Sequence, residues 1–336
     1  MPIAYCCLDC RQPLEEKPGY YQCPKCRHQY RVFAGVPNFK PGEIYPGEER
    51  VLEDLEKQYD KMSFEEFLNY ADSKKEKNSL PWELRRTMRF ENKSGAEKQK
   101  WLENYSQEVI IKAGQEQIHV TNILLRYAKG QIRHETCLDI GCGRGPWAVM
   151  AAKIYQQIYA LDMDMASVII AKKYCADQGI NNITFLAASS SALPFPDNAF
   201  DLINSQAVLE HVDIQLKSLE EIQRILAPGG YFVGDSVNRY NMVTPEPHID
   251  LRLIGFMPKS LAHKLSLAIK KFPYDDIKPL SYGELTAMLR QTFGTKYKII
   301  PFVESLQPSL TQSVLKVMPP CFLKHFNHTH YILGTK

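Results

Sequence analysis

The sequence predicts an α/β fold: a parallel sheet flanked by helices, preceded by a small metal-held module and a helical stretch. Three observations carry this. From about residue 134 onward, short β-branched and aromatic runs alternate with helical patterns, as in a parallel sheet with crossover helices. The first of those runs leads directly into the turn Gly141-Cys142-Gly143-Arg144-Gly145. Near the N-terminus, Cys7, Cys10, Cys23 and Cys26 form the pattern C-x2-C-x12-C-x2-C. The chain of 336 residues therefore divides into residues 1–40 (ribbon), 41–107 (helical connector) and 108–336 (sheet domain).

Composition narrows the class. Hydrophobic residues make up 44% and charged residues 24%, which is ordinary globular composition and excludes disorder or coiled coil as a global description. A net charge of +3 is weakly basic and does not by itself require nucleic acid. No apolar run approaches the ~20 residues that span a bilayer. Residues Met1 to Cys10 lack a basic segment followed by an apolar stretch, so a cytoplasmic address is expected. Disulfides are then disfavoured, and the early cysteines need another explanation.

Each C-x-x-C turn can aim two thiolates at one centre, and two such turns give the tetrahedral sulfur site that structural Zn²⁺ accepts. Pro18-Gly19 supplies a turn between them. Cys6 is an alternative to Cys7, and His28 to Cys26. Four thiolates leave no open position on the metal, so its role would be to hold the ribbon together.

Residues 43–100 carry 14 acidic and 12 basic side chains, with Val51, Leu52, Leu55, Tyr59, Met62, Phe64, Phe67 and Leu68 at helical spacing. Two or three amphipathic helices are expected, one opened by a Ser63/Glu66 capping box. The basic cluster Lys74, Lys75, Lys77, Arg85, Arg86 and Arg89 reads as a solvated face, with a phosphate or RNA contact as the alternative. A further helix is expected over about 107–129.

In the sheet domain, the first strand is Thr136–Ile140. A dinucleotide turn wants G-x-G-x-x-G, but Pro146 stands at the third glycine position. Asp139 lies two residues before the first glycine, and a carboxylate there suits a cationic ligand head. The next strand, Ile158–Asp162, ends in an acid placed to accept hydrogen bonds from ribose hydroxyls. Further strands are read at Ile183–Leu186, Phe200–Asn204 and Tyr231–Gly234.

Four ordered segments, Leu138–Gly145, Leu193–Asp201, Leu209–His211 and Leu226–Gly230, resemble the class I S-adenosylmethionine-dependent methyltransferases of the small-molecule, type 11-like group. The ribbon run from Tyr21 to Pro37 is similar to the zinc-ribbon segment that precedes some bacterial methyltransferase domains. The resemblance implies a Rossmann-like seven-stranded sheet, with Lys298–Glu304 and His330–Gly334 as its last two strands. It implies that Asp139, Gly141, Cys142 and Gly143 cradle the methionine part of S-adenosylmethionine. Asp162 would hold the ribose and Met163 would pack on the adenine. Ser189, with Ser190, stands where the family often has an Asp at the adenine, and Ser205 would close the pocket.

The acceptor is less legible. No Asn/Asp-Pro-Pro-Tyr run or Pro-Cys nucleophile follows the fourth strand. The insertion at about 238–280 should cap the carboxyl ends of the strands, where acceptors bind in this fold. His248, oriented by Asp250, is the first candidate for a general base or acceptor contact, and His211 the second. Arg239 and Tyr240 are candidates for anchoring an acidic group. The favoured acceptor is a small-molecule or sugar-like hydroxyl. Two alternatives stand beside it. One is an RNA base, as in the ribosomal RNA guanine-N1 methyltransferases that also carry a zinc module. The other is a non-catalytic, cofactor-binding partner protein.

Overall fold

The computed structural model describes residues 3–42, 44–74, 104–270, 273–300 and 319–336. Among these residues no helix is long and apolar enough to cross a membrane. Lys75, Lys77, Arg85, Arg86, Arg89 and residues 301–304 lie outside the described residues.

The ribbon is a four-stranded antiparallel meander: β1 (Glu15–Lys17), β2 (Tyr20–Gln22), β3 (Gln29–Phe33) and β4 (Val36–Phe39). The connector supplies α1 (Pro46–Tyr59) and α2 (Phe64–Lys74). The Ser63/Glu66 capping box opens α2 as expected, with the Ser63 N–H donating to Glu66 Oε2 at 2.9 Å. A π-helical turn at Ser106–Lys112 leads into α3 (Ala113–Leu125), so the helix expected over 107–129 exists but is irregular at its start.

The sheet domain runs β5 (Thr136–Ile140), α4 (Pro146–Ala151), β6 (Gln157–Asp162), α5 (Met165–Asp177), β7 (Ile183–Ala188), β8 (Phe200–Ser205), α6 (Gln215–Ile225) and β9 (Leu226–Val237). The insertion contributes α7 (Lys259–Lys270), and α8 (Tyr282–Phe293) follows it. The chain closes with β10 (Tyr297–Ile300), α9 (Pro320–Phe326) and β11 (Thr329–Thr335). Strand order within this domain is β7-β6-β5-β8-β9-β11-β10, parallel except for the β9-β11-β10 end. These are the seven strands expected. The sheet is larger, however: β4 pairs in parallel with β7 through Asn38↔Ala187 and Phe39↔Ala188, giving 11 strands in all.

That junction ties the ribbon to the sheet. All four residues of β4 are buried, so this strand lacks the alternation of a strand with one wet face. Tyr5, Tyr30 and Phe39 share one core cluster with Leu138, Tyr159 and Phe195. Arg11 donates to both Glu221 carboxylate oxygens at 3.0 Å and to the Leu193 carbonyl at 2.7 Å. The Cys6 N–H donates to the Pro194 carbonyl. On the opposite face Leu52, Leu55 and Phe67 of the connector join a cluster with Trp147, Ile169 and Tyr174. An edge strand with free N–H and C=O groups invites unwanted pairing; here β4 covers β7.

Candidate active site and cysteine centre

The cysteine centre is made of two turns of the same build. The Arg11 N–H donates to the Cys7 carbonyl and the Arg27 N–H to the Cys23 carbonyl, both at 3.0 Å. Arg11 and Arg27 both have positive φ, 60° and 65°. This left-handed step after each second cysteine turns the chain so that four sulfurs face inward. The Sγ atoms of Cys7 and Cys26 are 3.4 Å apart, those of Cys10 and Cys23 3.4 Å, and those of Cys10 and Cys26 3.9 Å. These distances are far beyond a disulfide bond and close to the ~3.8 Å edge of a tetrahedron with ~2.3 Å metal–sulfur arms. The donor set therefore fits one tetrahedral ion. Cys6 stands outside the cluster, and His28 pairs with Asp9 and stacks on Tyr30. Among the alternatives open in the sequence, the geometry selects Cys7 and Cys26.

The glycine-rich turn joins β5 to α4 at the carboxyl edge of the sheet. Gly141, Gly143 and Gly145 all have positive φ, at 72°, 52° and 82°. A Cβ on Gly141 would lie 2.3 Å from Val208 Cγ2, whereas one on Gly143 would meet no heavy atom within 4 Å. Gly141 is therefore glycine for packing, and Gly143 borders open space. Asp139 is buried beneath the turn. Its Oδ1 accepts from Asn204 Nδ2 at 2.7 Å; its Oδ2 has no partner within hydrogen-bonding geometry among the described residues, with the Ala148 N–H of α4 nearby. Burial pushes its carboxyl up to about 7, against the Asn204 bond that favours ionisation. Asp162 accepts from the Gly143 N–H at 2.8 Å and the Asp164 N–H at 2.9 Å. Burial raises it to about 6. Next to it Met163 is exposed, as an apolar side chain offered to a ligand would be.

The remaining expected cofactor residues divide. Cys142 is buried behind the turn, with its thiol 3.6 Å from the Gly143 carbonyl. Ser189 is partly exposed and bonded to Ser191 Oγ at 2.9 Å. Ser190 points away, into a buried bond with Ser218 of α6 at 2.8 Å, so its side chain belongs to the core. Ser205 is buried at the end of β8.

Two groups were not read from the sequence. Arg144, inside the glycine turn, is buried and ion-paired with Asp72 of α2, with Tyr105 Oη 3.2 Å from its Nη1. The connector thus grips the turn. Gln206 donates to Asn204 Oδ1 at 2.8 Å and Thr121 Oγ1 at 3.1 Å, and Trp147 Nε1 donates to the same Thr121 at 2.9 Å. This chain of bonds fixes Asn204 and, through it, Asp139. The N-S-Q run that closes β8 is the sequence signal for it.

A cavity of about 450 Å³ opens beyond the ends of β8, β9 and β11. Ala207, Glu210, Asp235, His248, His328 and Tyr331 are among its lining residues. His248 sits in the Pro245–Asp250 turn. Its backbone N–H and that of Ile249 both donate to Glu246 Oε2 at 2.9 Å, and its Nδ1 lies 2.5 Å from Glu246 Oε1. Its Nε2 lies 3.1 Å from His211 Nε2. The protein packed around its ring, and then the neighbouring His248, push His211 down to about 4, although the residue keeps an exposed face. Glu210 is wholly buried. Burial first, then Asp235, raise its carboxyl to about 8.

Three acceptor-side expectations change. Glu246, not Asp250, orients His248; Asp250 is exposed and pairs with Lys270 at 3.3 Å. Both acids lie two residues from His248, so spacing alone cannot choose between them. Arg239 is tied to Glu284 at 2.8 Å and to the Pro279 carbonyl, inside the packing of the insertion. Tyr240 packs on Phe256. Neither Arg239 nor Tyr240 is among the lining residues of the cavity.

Residues 138–234 match the family described as "Methyltransferase domain". Residues 138–234 of the chain are thus similar to a methyltransferase domain. It is 27% identical over 131 residues to the uncharacterized methyltransferase YcgJ of Bacillus subtilis, covering 39% of this chain and 50% of that protein. It is 29% identical over 99 residues to the demethylmenaquinone methyltransferase of Geobacillus kaustophilus, covering 29% of this chain and 42% of that one. The chain thus spans half or less of the length of these curated relatives. The crystal structure of B. subtilis YcgJ aligns at 19% identity with a TM-score of 0.44, covering 65% of this chain and 98% of that one.

Proposed function

We propose that the chain binds S-adenosylmethionine at the glycine turn and methylates a small hydroxyl-bearing acceptor held in the 450 Å³ cavity. The observation that carries the reading is Asp139. A buried carboxylate oxygen without a partner is costly unless a ligand satisfies it. It lies under a turn whose Gly143 leaves open space, where the ammonium group of a methionine moiety would pair with it. Asp162, with its two backbone bonds already directing both oxygens, is the ribose acceptor, and Met163 lies against the adenine.

The bound cofactor supplies a sulfonium methyl that an acceptor displaces in line. The protein's own contribution is positioning and proton handling. Asp139 and Asp162 anchor the donor at the ends of β5 and β6. The cavity beyond β8 and β9 has the size of a small-molecule site. In it His248 is the proton acceptor: Glu246 accepts the hydrogen bond of its Nδ1–H, which leaves the lone pair on Nε2, the nitrogen that faces His211. We further propose that Cys7, Cys10, Cys23 and Cys26 bind a structural Zn²⁺ that holds the ribbon against β7.

Purified protein with methyl-labelled cofactor and fractionated extract tests the acceptor class. Label on small, hydroxyl-bearing metabolites is expected. Label confined to ribosomal RNA would move the reading to an RNA methyltransferase, and cofactor binding without any transfer would make the chain a partner protein. His248→Ala should lower the single-turnover rate by about a hundredfold or more, as loss of a general base does. An unchanged pH–rate profile in that variant would remove His248 from the role.

A further inference from the structure

We propose that Glu210, His211 and His248 form a binding site for one divalent first-row transition-metal ion at the edge of the acceptor cavity, a proposal that deepens the cavity reading above and takes its role from it. One donor atom from each residue lies within 4.8 Å of the others. His211 Nε2 and His248 Nε2 face each other at 3.1 Å. Two nitrogens bound to one ion at ~2.1 Å, at angles between 90° and a tetrahedral angle, stand about 3.0–3.4 Å apart, so the observed pair already has the spacing of shared ligands.

Glu210 supplies the independent observation. Its side chain is wholly buried, and neither carboxylate oxygen has a hydrogen-bond partner among the described residues. The backbone N–H groups of Glu210 and Val237 lie nearby but outside hydrogen-bonding geometry. A buried acid within 4.8 Å of two imidazole nitrogens and without a hydrogen-bond partner is unfavourable unless a ligand satisfies it. Glu246 completes the arrangement. A metal-bound histidine commonly gives its other ring proton to a carboxylate, which fixes the tautomer. Glu246 is placed at His248 Nδ1 to do so.

The donor set gives the class of ion. Two imidazoles and one carboxylate suit Zn²⁺, Fe²⁺, Co²⁺ or Mn²⁺ rather than Ca²⁺, which takes an all-oxygen shell, or Mg²⁺, which keeps its waters. Three protein ligands leave coordination positions free. Glu210 and His248 line the cavity, so an oxygen of the acceptor can take one of those positions. Loading the site changes the work of His248 from accepting a proton to holding the ion.

The test is cobalt(II) titration of the purified full chain carrying one zinc equivalent, after a mild chelator has removed any second equivalent, read by visible absorption, with metal content by plasma mass spectrometry. Zinc on the four thiolates keeps the ribbon silent in the visible. The expected result is one saturable cobalt equivalent in the wild type, lost in His248→Ala. Glu246→Gln should weaken it by about 10–100-fold, the usual effect of losing a group that supports a ligand. Circular dichroism and calorimetric binding of S-adenosylmethionine on the same samples show that the variants are folded. Absence of the cobalt bands in the wild type, or equal cobalt affinity in folded His248→Ala, overturns the site. Failure of the wild type to bind S-adenosylmethionine would instead overturn the methyl-transfer reading, and the cobalt result would still decide the metal.

Discussion

Cofactor affinity should fall in mild acid, and Asp139 sets where. Its carboxyl ionises at about 7 in the free protein, because burial disfavours the charge. The ligand's ammonium group pairs with the ionised form, so binding below that pH must first release a proton. For one such group the apparent dissociation constant scales as 1 + 10^(pKa − pH). It is therefore about tenfold larger at pH 6 than at pH 8, a difference of ~1.4 kcal/mol. Calorimetry in two buffers of different ionisation enthalpy reads both consequences: the affinity ratio and the release of about one proton per cofactor at pH 6. Asp139→Asn is the matched variant. Its amide oxygen can still accept from Asn204, but it cannot titrate, so the tenfold change with pH should shrink to about twofold, the part left by Asp162 ionising at about 6. At pH 8 it should also be weaker by roughly ten- to a hundredfold, for loss of a charged hydrogen bond worth ~1.5–3 kcal/mol. The sign for folding is opposite. A carboxyl raised by burial favours the fold while protonated, so the cofactor-free protein should lose stability as pH rises from the ordinary carboxylate range through 7. An affinity that does not change between pH 6 and pH 8 would refute the reasoning.

Other perturbations test the neighbouring parts. Gly141→Ala places a methyl 2.3 Å from Val208 at a φ of +72°, and should cost about 1–3 kcal/mol in urea unfolding as well as cofactor binding. Gly143→Ala meets no protein atom but keeps a φ of +52°, so it should cost only the left-handed backbone strain of about 1–2 kcal/mol while its cofactor affinity falls; a normal affinity would show that the open space beside Gly143 is not where the ligand lies. Asp72→Asn leaves the buried Arg144 guanidinium without its counter-charge, and a loss of about 3–5 kcal/mol is expected from denaturant midpoints. Cys23→Ser should remove the ribbon's metal equivalent and expose the β4–β7 junction to protease, and an uncut ribbon in that variant would argue that the metal is dispensable.

The parts of this molecule written in short-range pattern were legible in the sequence. The four-cysteine spacing, the glycine turn with Asp139 before it, and the acid closing the second strand each need only a few adjacent residues, and each is brought together in space. The chain's own parallel sheet followed from strands alternating with helices. What escaped was set by long-range partners. Nothing local in Val36-Pro37-Asn38-Phe39 says that it pairs with residues near 187 rather than ending a small ribbon. The buried Arg144 looks like an ordinary solvent-facing turn residue until Asp72 is seen beside it. His248 lies in a turn of the insertion, where the sequence offers Asp250 to orient it; the partner in space is Glu246, equally distant along the chain on the other side. Arg239 and Tyr240 sit in the expected insertion, but their side chains are consumed by Glu284 and Phe256.

The β4–β7 ladder also bears on the order of events as the chain emerges during synthesis. Its partners, Asn38 and Ala187, lie roughly 150 residues apart, a costly separation for a first contact. The four cysteines are complete by Cys26, and the ion proposed for them would fix the module long before β7 exists. A pre-formed strand is then waiting when β7 appears, and loop closure joins a rigid template to one new strand instead of two wandering ones. Metal starvation should accordingly be felt at birth more than in the finished protein: poor yield of folded chain, with little effect on molecules already assembled.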